Sequence, residues 1–524
     1  MSDDVDARGG TAFGLMPEEP RQGGYGPRTT AAWSRKPYHH PAAGWGAAMS
    51  VGKVLLRERE PIAGSEAMLI MNHGRSGFDC PGCAWPDDLG NLRLDICENG
   101  IKHVTWEMTH KRVDRQFFAQ HTVAELAQWT DFDLEDQGRL TEPMSYDPVT
   151  DRYVPISWDD AFALIGAELQ ALDSPDEASF YTSGRLSNEA TFLYQLMVRE
   201  YGTNNLPDCS NMCHEASGRA LKASLATGKG TADLRDWEEC DALFILGVNA
   251  ASNAPRMLTA LSDAVRRGAQ VVHVNPLVEA GATRTIVPHE FVDMALFKST
   301  DTSTMNLQVR IGGDLALIRG MAKVVFEEAR TDPTVLDTAF LREYTNGVEE
   351  YRTLVEATPW SELVRQSGLT EEQIRRAAAI YLGSERTIIS WCLGVSQHEH
   401  GVDTVREIVN LLLLRGNIGR PGTGPSPVRG HSNVQGNRTC GIDHRPPAWT
   451  DLLAEVCRID PPRWEGLDTV KTIRGMHDGT VKVFVGMGGN FVLAAPDTPY
   501  TAEGLSRCRL TVQVSTKLNR SHLM

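Results

Sequence analysis

No stretch of this chain approaches the ~18 consecutive apolar residues that a membrane-spanning helix needs. Positive charge is also short. Lys and Arg number 52 against 68 Asp and Glu, a net charge of -16. That excludes the basic surface of a general nucleic-acid binder and leaves small-molecule chemistry as the natural field. The opening residues, MSDDVDARGGTAFGLMPEEPRQGGYGPRTT, hold no apolar core and no twin arginine ahead of one. They do not read as a signal peptide, so the cytoplasm is the expected location. No periodic repeat runs through the chain. No complete G-x-G-x-x-G follows an apolar run, which leaves a nicotinamide Rossmann site without support. Cysteine is sparse, with ten in 524 residues, at 80, 83, 97, 209, 213, 240, 392, 440, 457 and 508. Without a secretion signal they read as thiols or metal ligands, not disulfides.

The composition that remains, 41% hydrophobic and 23% charged, is that of a globular protein. The length allows about three or four domain-sized units. The first residues, to about 45, are rich in Gly, Pro, Arg and Asp and offer little apolar area to offset ordering entropy. From about 158 the pattern is α/β. WDDAFALIGAELQAL and SNEATFLYQLMVREYG have helical spacing, the second with Ser187 as N-cap. EASFYTSG, CDALFILGVN, AQVVHVNP, RTIISWCLGVSQ and VKVFVGMGGN read as strands that run into turns. Runs that are apolar on both faces and alternate with helices imply parallel sheets flanked by helices. Ligands in such sheets bind beyond the carboxyl ends of the strands.

Four groups of residues could carry chemistry. Cys80 and Cys83 form CPGC on a Gly/Pro-rich loop, with Cys97 following. A zinc half-site, a redox pair and an iron–sulfur cluster all suit a C-x-x-C, and the last commonly takes four cysteines where three are in sight. Cys213 and His214 are adjacent in DCSNMCHEASG. They read as buried packing, as a nucleophile with its base, or as a thiolate metal ligand beside a proton acceptor. Glycines recur at 247, 394 and 486, either as turn residues or to let a phosphate-bearing ligand approach. PVRGHSNVQGNRTCG is a polar loop whose Arg429 could be solvated or could receive a carboxylate.

The stretch YTSGRLSNEATFLYQLMVREYGTNNLPDCSNMCHEASG resembles the molybdopterin oxidoreductases, and within them the formate dehydrogenase-like alpha subunit. CDALFILGVNAASNAP, VVHVNPLVEAG, IGGDLALI, GVDTVREIVNLLLLRGNIGRPGTGPSPVRGHSNVQG and VKVFVGMGGNF extend the resemblance in order from about 60 to the end. It implies molybdenum or tungsten held by two molybdopterin guanine dinucleotides, with Cys213 as metal ligand, His214 beside it, and Arg429 facing the substrate carboxylate. It places Gly247, Asn249, Asn253, Asn275, Pro276, Gly313 and Asp314 at nucleotide-contacting positions, and Cys80, Cys83 and Cys97 on a [4Fe-4S] loop. Cys209 matches a cysteine away from the metal. The implied activity is two-electron oxidation of formate or a similar small carboxylate, with electrons passing to an accepting protein or subunit. The implied organisation is an arm over 1–60, an iron–sulfur domain over 61–140, an α/β domain from 141–208 with 432–524, and a nucleotide-binding α/β domain over 209–431.

Three positions depart from the family pattern. The cluster loop lacks one cysteine, because AWPD follows Cys83. Asn99 stands where the family has a lysine between cluster and pterin, with Lys102 nearby. His431 replaces a glutamine after VRG. VQVSTKLNRSHLM ends where the family continues into a β-barrel-like domain over the second nucleotide, and that domain is expected to be missing. A scaffold or cofactor-binding subunit without turnover is the competing reading. A thiol–disulfide protein working through Cys80 and Cys83 is a further one.

Overall fold

The computed structural model describes residues 39–73, 77–87 and 95–524. Residues 1–38, most of the stretch expected to be an arm, lie outside the described residues. The remainder of that stretch is ordered structure. Ala42–Ala43 pairs in parallel with Arg284–Ile286, and Gly44–Arg57 is a helix. That helix is hard to read from sequence because its buried positions include Gly44 and Ala47 alongside Val51. Small residues carry little hydropathy but let helices approach closely.

Two parallel sheets organise the rest. The larger has the strand order Met305–Leu307, Gln270–Val274, Ala242–Leu246, Thr387–Trp391, Gly424–Pro427, every pairing parallel. The central Ala242–Leu246 and Thr387–Trp391 strands are buried at every residue, which is why they read as uninterrupted apolar runs. Pro425 and Pro427 sit on an edge strand, where a missing N–H costs no ladder bond. Helices cover both faces. Asp314–Glu328, Glu371–Leu382 and Gly401–Leu414 pack on one side, in a core that includes Leu317, Met321, Tyr381, Trp391 and Leu412. Met257–Arg266 packs on the other with Trp237 and Leu243.

The second sheet has the order Leu510–Val514, Val483–Met487, Ala178–Thr182, again parallel. Segments far apart in the chain therefore share one sheet. Gly486 lies inside its strand, and the turn is made by Gly488 and Gly489, both at positive φ. Ser187 caps Asn188–Tyr201 by accepting from the Ala190 N–H. Among the described residues no helix is long and apolar enough to cross a membrane.

Candidate functional site

The carboxyl ends of the large sheet open into a cavity of about 790 Å³. Gly247, Asn249, Asn253, Asn275, Pro276 and Asp314 line it from the strand ends, and Cys80 and Cys83 on a loop and Cys97 at the N-cap of the helix Glu98–Met108 line it from the other side. Nine residues singled out in the sequence thus meet at one cavity. Gly313 is not among the lining residues. A Cβ there would meet the Gln366 carbonyl oxygen at 2.8 Å, so its glycine identity answers to backbone packing, while Gly312 and Asp314 on either side face the space. The same holds for Gly247 and Gly394. A Cβ on Gly247, which has φ +61, would lie 2.7 Å from the Gly394 backbone. These glycines let two neighbouring strand ends cross, whatever the cavity holds.

The polar residues around the cavity are built in. Asn249 caps its short helix through the Ser252 N–H, and the Asn275 amide donates to the Val248 carbonyl at 3.0 Å. Asp314 is 5% exposed, and burial pushes its carboxyl up to about 6. A carboxylate held in such a setting suits a ligand that donates hydrogen bonds.

At the other end, Cys80 and Cys97 are buried in a cluster with Met71 and Ile101. Burial pushes the Cys97 thiol up to about 12, with the nearby Cys80 and Cys83 adding to it. Burial raises the Cys80 thiol as well, so a cation binding to Cys80 and Cys97 would have to draw off their protons. The donor set is soft, as a cluster requires, but it holds three cysteines where four are usual. Among the described residues no group of three or more His, Cys, Asp and Glu is arranged to hold a metal ion. Asn99 donates to the Ser252 carbonyl, and the Lys102 ammonium is paired with Glu98. Arg185, which directly follows the Ala178–Thr182 strand and its turn, lines the same cavity. Its signal was its place at a strand's carboxyl end. Cys392 occupies the equivalent place after Thr387–Trp391 and was equally legible.

Cys213 and His214 stand between a short 3-10 turn, Cys209–Met212, and the helix Glu215–Leu225. Asp208 and Asn211 fasten the start of the turn by reciprocal capping. Asp208, 1% exposed, also takes a two-pronged contact from Arg438, at 3.1 and 2.7 Å. Arg438 further contacts Glu215 and Asp443, so the loop carrying Cys213 is clamped to the helix Val434–Thr439, which corrects the expectation of a polar loop throughout 427–441. Cys213 Sγ lies 3.5 Å from where a Gly430 Cβ would be. Burial and the neighbouring Cys392 raise its thiol to about 11, against the opposing pull of the Gly430 N–H and Arg429. Burial and Arg429 push His214 down to about 3, so it is neutral.

Arg429 completes the site. Its guanidinium donates to the Gly228 carbonyl at 2.7 Å and reaches the His214 carbonyl at 3.5 Å, while Nε is buried without a partner. Cys213, His214 and Arg429 therefore cluster behind the cavity wall formed by Cys392, Gly430 and His431. His431 Nδ1 accepts from the Gly184 N–H at 3.2 Å and lies 3.6 Å from Cys209 Sγ. That places Cys209 in the packing around the loop.

The molybdopterin oxidoreductase family profile matches residues 139–519. The chain belongs to the molybdopterin oxidoreductase family. It is 46% identical to protein YdeP of Escherichia coli K12 over 493 residues, 93% of this chain and 65% of that one. It is 49% identical to uncharacterized oxidoreductase Rv2900c of Mycobacterium tuberculosis H37Rv over 461 residues, 87% of this chain and 59% of that one. F420-dependent formate dehydrogenase 1 subunit alpha of Methanococcus maripaludis is more distant, 31% identical over 68% of this chain and 51% of its own. The chain thus spans less than two thirds of the length of these relatives. Among solved structures, acetylene hydratase from Pelobacter acetylenicus shares the fold, with a TM-score of 0.54 at 17% identity, covering 71% of this chain and 52% of that one. Family membership implies a molybdopterin cofactor carrying molybdenum or tungsten.

Proposed function

We propose that the chain binds molybdenum or tungsten through Cys213 and two molybdopterin guanine dinucleotides, and oxidises a small carboxylate such as formate. The observation that carries this reading is Arg429. Among the described residues it has no ion-pair partner, and both its contacts are carbonyls. A half-buried guanidinium with no ion-pair partner among the described residues, beside a candidate metal-binding thiol, suits an anion.

The residues present fit the pterin cofactor in kind. A roomy cavity at strand ends, open space around Gly312, and the buried Asp314 suit a nucleotide whose base donates hydrogen bonds. When bound, the metal centre supplies the two-electron acceptor. Arg429 holds the substrate carboxylate by a bidentate contact and neutralises its charge. An iron–sulfur cluster on Cys80, Cys83 and Cys97 and an electron-accepting protein complete the proposal. No step depends on either.

The test is protection of Cys213 from alkylation. Formate, or azide as an anionic mimic, should slow modification in the wild type and not in Arg429→Ala. Arg429→Lys keeps the charge but loses the planar fork, and should lower kcat/KM by on the order of 2–4 kcal/mol. Equal protection in wild type and Arg429→Ala would remove the case for a carboxylate substrate.

A further inference from the structure

The helix Gly44–Arg57 buries Gly44, Ala47 and Val51 and turns Trp45, Met49, Lys53 and Leu56 outward along one stripe. Trp45 ties that stripe to a second element. Its indole N–H donates to the Met294 carbonyl at 2.9 Å, and its ring lies 6.3 Å from that of Phe297. Met294 belongs to the short helix Phe291–Ala295. In that helix and just after it, Phe291, Val292, Leu296 and Phe297 are each 66–72% exposed. Large apolar side chains scattered singly over a surface are ordinary, whereas a contiguous group marks a site of interaction.

Phe297 is held in this group under strain. The short helix closes with the Lys298 N–H on the Asp293 carbonyl and the Phe297 N–H on that of Met294. Such a closure favours glycine at the left-handed position, and Phe297 occupies it at φ +54. Its ring nonetheless stays mostly in water. The charges around the group are one-sided. The helix Gly44–Arg57 contains no acidic residue. Glu290 and Asp293 are both taken by Arg266, at 2.8 and 2.6 Å. Lys53 and Lys298 are exposed beside the apolar side chains. On a chain of net charge -16 this face is therefore basic. Two copies meeting through it would oppose lysine to lysine, which disfavours a symmetric pair.

We infer that this face rests on an anionic lipid surface, with the Trp45 stripe and the Phe291–Phe297 segment entering the headgroup layer and Lys53 and Lys298 against the lipid phosphates. Contact of this kind is peripheral and needs no spanning helix. It does not depend on the metal or on the substrate.

Co-sedimentation of the full chain with vesicles tests the inference. The probes are vesicles of phosphatidylcholine alone and of phosphatidylcholine mixed with phosphatidylglycerol. The chain should pellet with the mixed vesicles, far less with the neutral ones, and come off as salt rises. Val292→Glu, and Lys53→Glu combined with Lys298→Glu, should each lower the partition coefficient by about tenfold or more. Phe297→Gly suits the left-handed backbone, so it keeps the fold while removing a ring, and should also bind more weakly. Val456→Glu, at an exposed valine on the helix Thr450–Cys457, should bind as the wild type does. Failure to bind the mixed vesicles, binding that ignores lipid charge, or equal losses in Val456→Glu and Val292→Glu would overturn the inference. So would a dimer in light scattering that Val292→Glu abolishes, which would give the face to a second copy of the chain.

Discussion

Cys209 and Cys213 are four residues apart and meet different surroundings. Cys209 packs with Tyr181, Phe491 and His431, whereas Cys213 faces the Gly430 backbone and Arg429. Cys213→Ser should therefore abolish turnover with the fold intact, since a hard oxygen ligand retunes a soft metal. Cys209→Ser should be mild. Equal losses, measured as kcat alongside thermal unfolding, would show that the ligand is misassigned. Asp314 gives a second test at this scale. Its folded carboxyl is raised toward 6, so the native state holds the proton more tightly than the unfolded chain. Stability attributable to it is lost as pH rises from about 4 through 6. Asp314→Asn should be more stable than wild type at pH 8 by on the order of 2–3 kcal/mol and indistinguishable below pH 4. Denaturant unfolding at the two pH values checks this. A neutral result at pH 8 would mean Asp314 is solvated. At this scale Cys213 and His214 were legible as an unusual pair of sequence neighbours, whereas Arg429, 215 residues on, was singled out only through its polar stretch and the family resemblance. Arg185 and Cys392 were less legible, since their meaning comes from strand ends that converge only in the fold.

Among the elements, the loop carrying Cys213 depends on a buried ion pair. Asp208 and Arg438 join segments 230 residues apart. Asp208→Ala removes the two-pronged contact while leaving Arg438 its Glu215 and Asp443 partners, and should cost about 1.5–3 kcal/mol. Breaking the exposed Arg330–Glu356 pair should leave unfolding nearly unchanged, because solvent screens it. Thermal or denaturant unfolding of the two variants separates the cases, and comparable losses would show that Asp208 is no clamp. Gly247→Ala meets both a positive φ and the Gly394 backbone, and should destabilise by more than about 1 kcal/mol. The parallel strands were legible because burial on both faces leaves an unbroken apolar run. The Gly424–Pro427 strand was not, since two prolines hide an edge strand that propensity alone forbids. The Gly44–Arg57 helix was hidden for the opposite reason, its buried face being made partly of small residues.

For the whole molecule, the fold narrows the cofactor and leaves the reaction open. Acetylene hydratase shares the architecture under a different name, and one architecture supports different chemistries through its sites. The family was legible as an ordered series of motifs spread over most of the chain. The substrate has to be argued from Arg429, and the three-cysteine cluster loop from its own chemistry. The most direct test of the central claim is metal quantification on protein purified without oxygen from cells supplied with molybdate and tungstate. The account predicts stoichiometric molybdenum or tungsten in the wild type, reduced in Cys213→Ser. A wild-type chain without stoichiometric amounts of either metal would contradict it and leave a scaffold of the same fold.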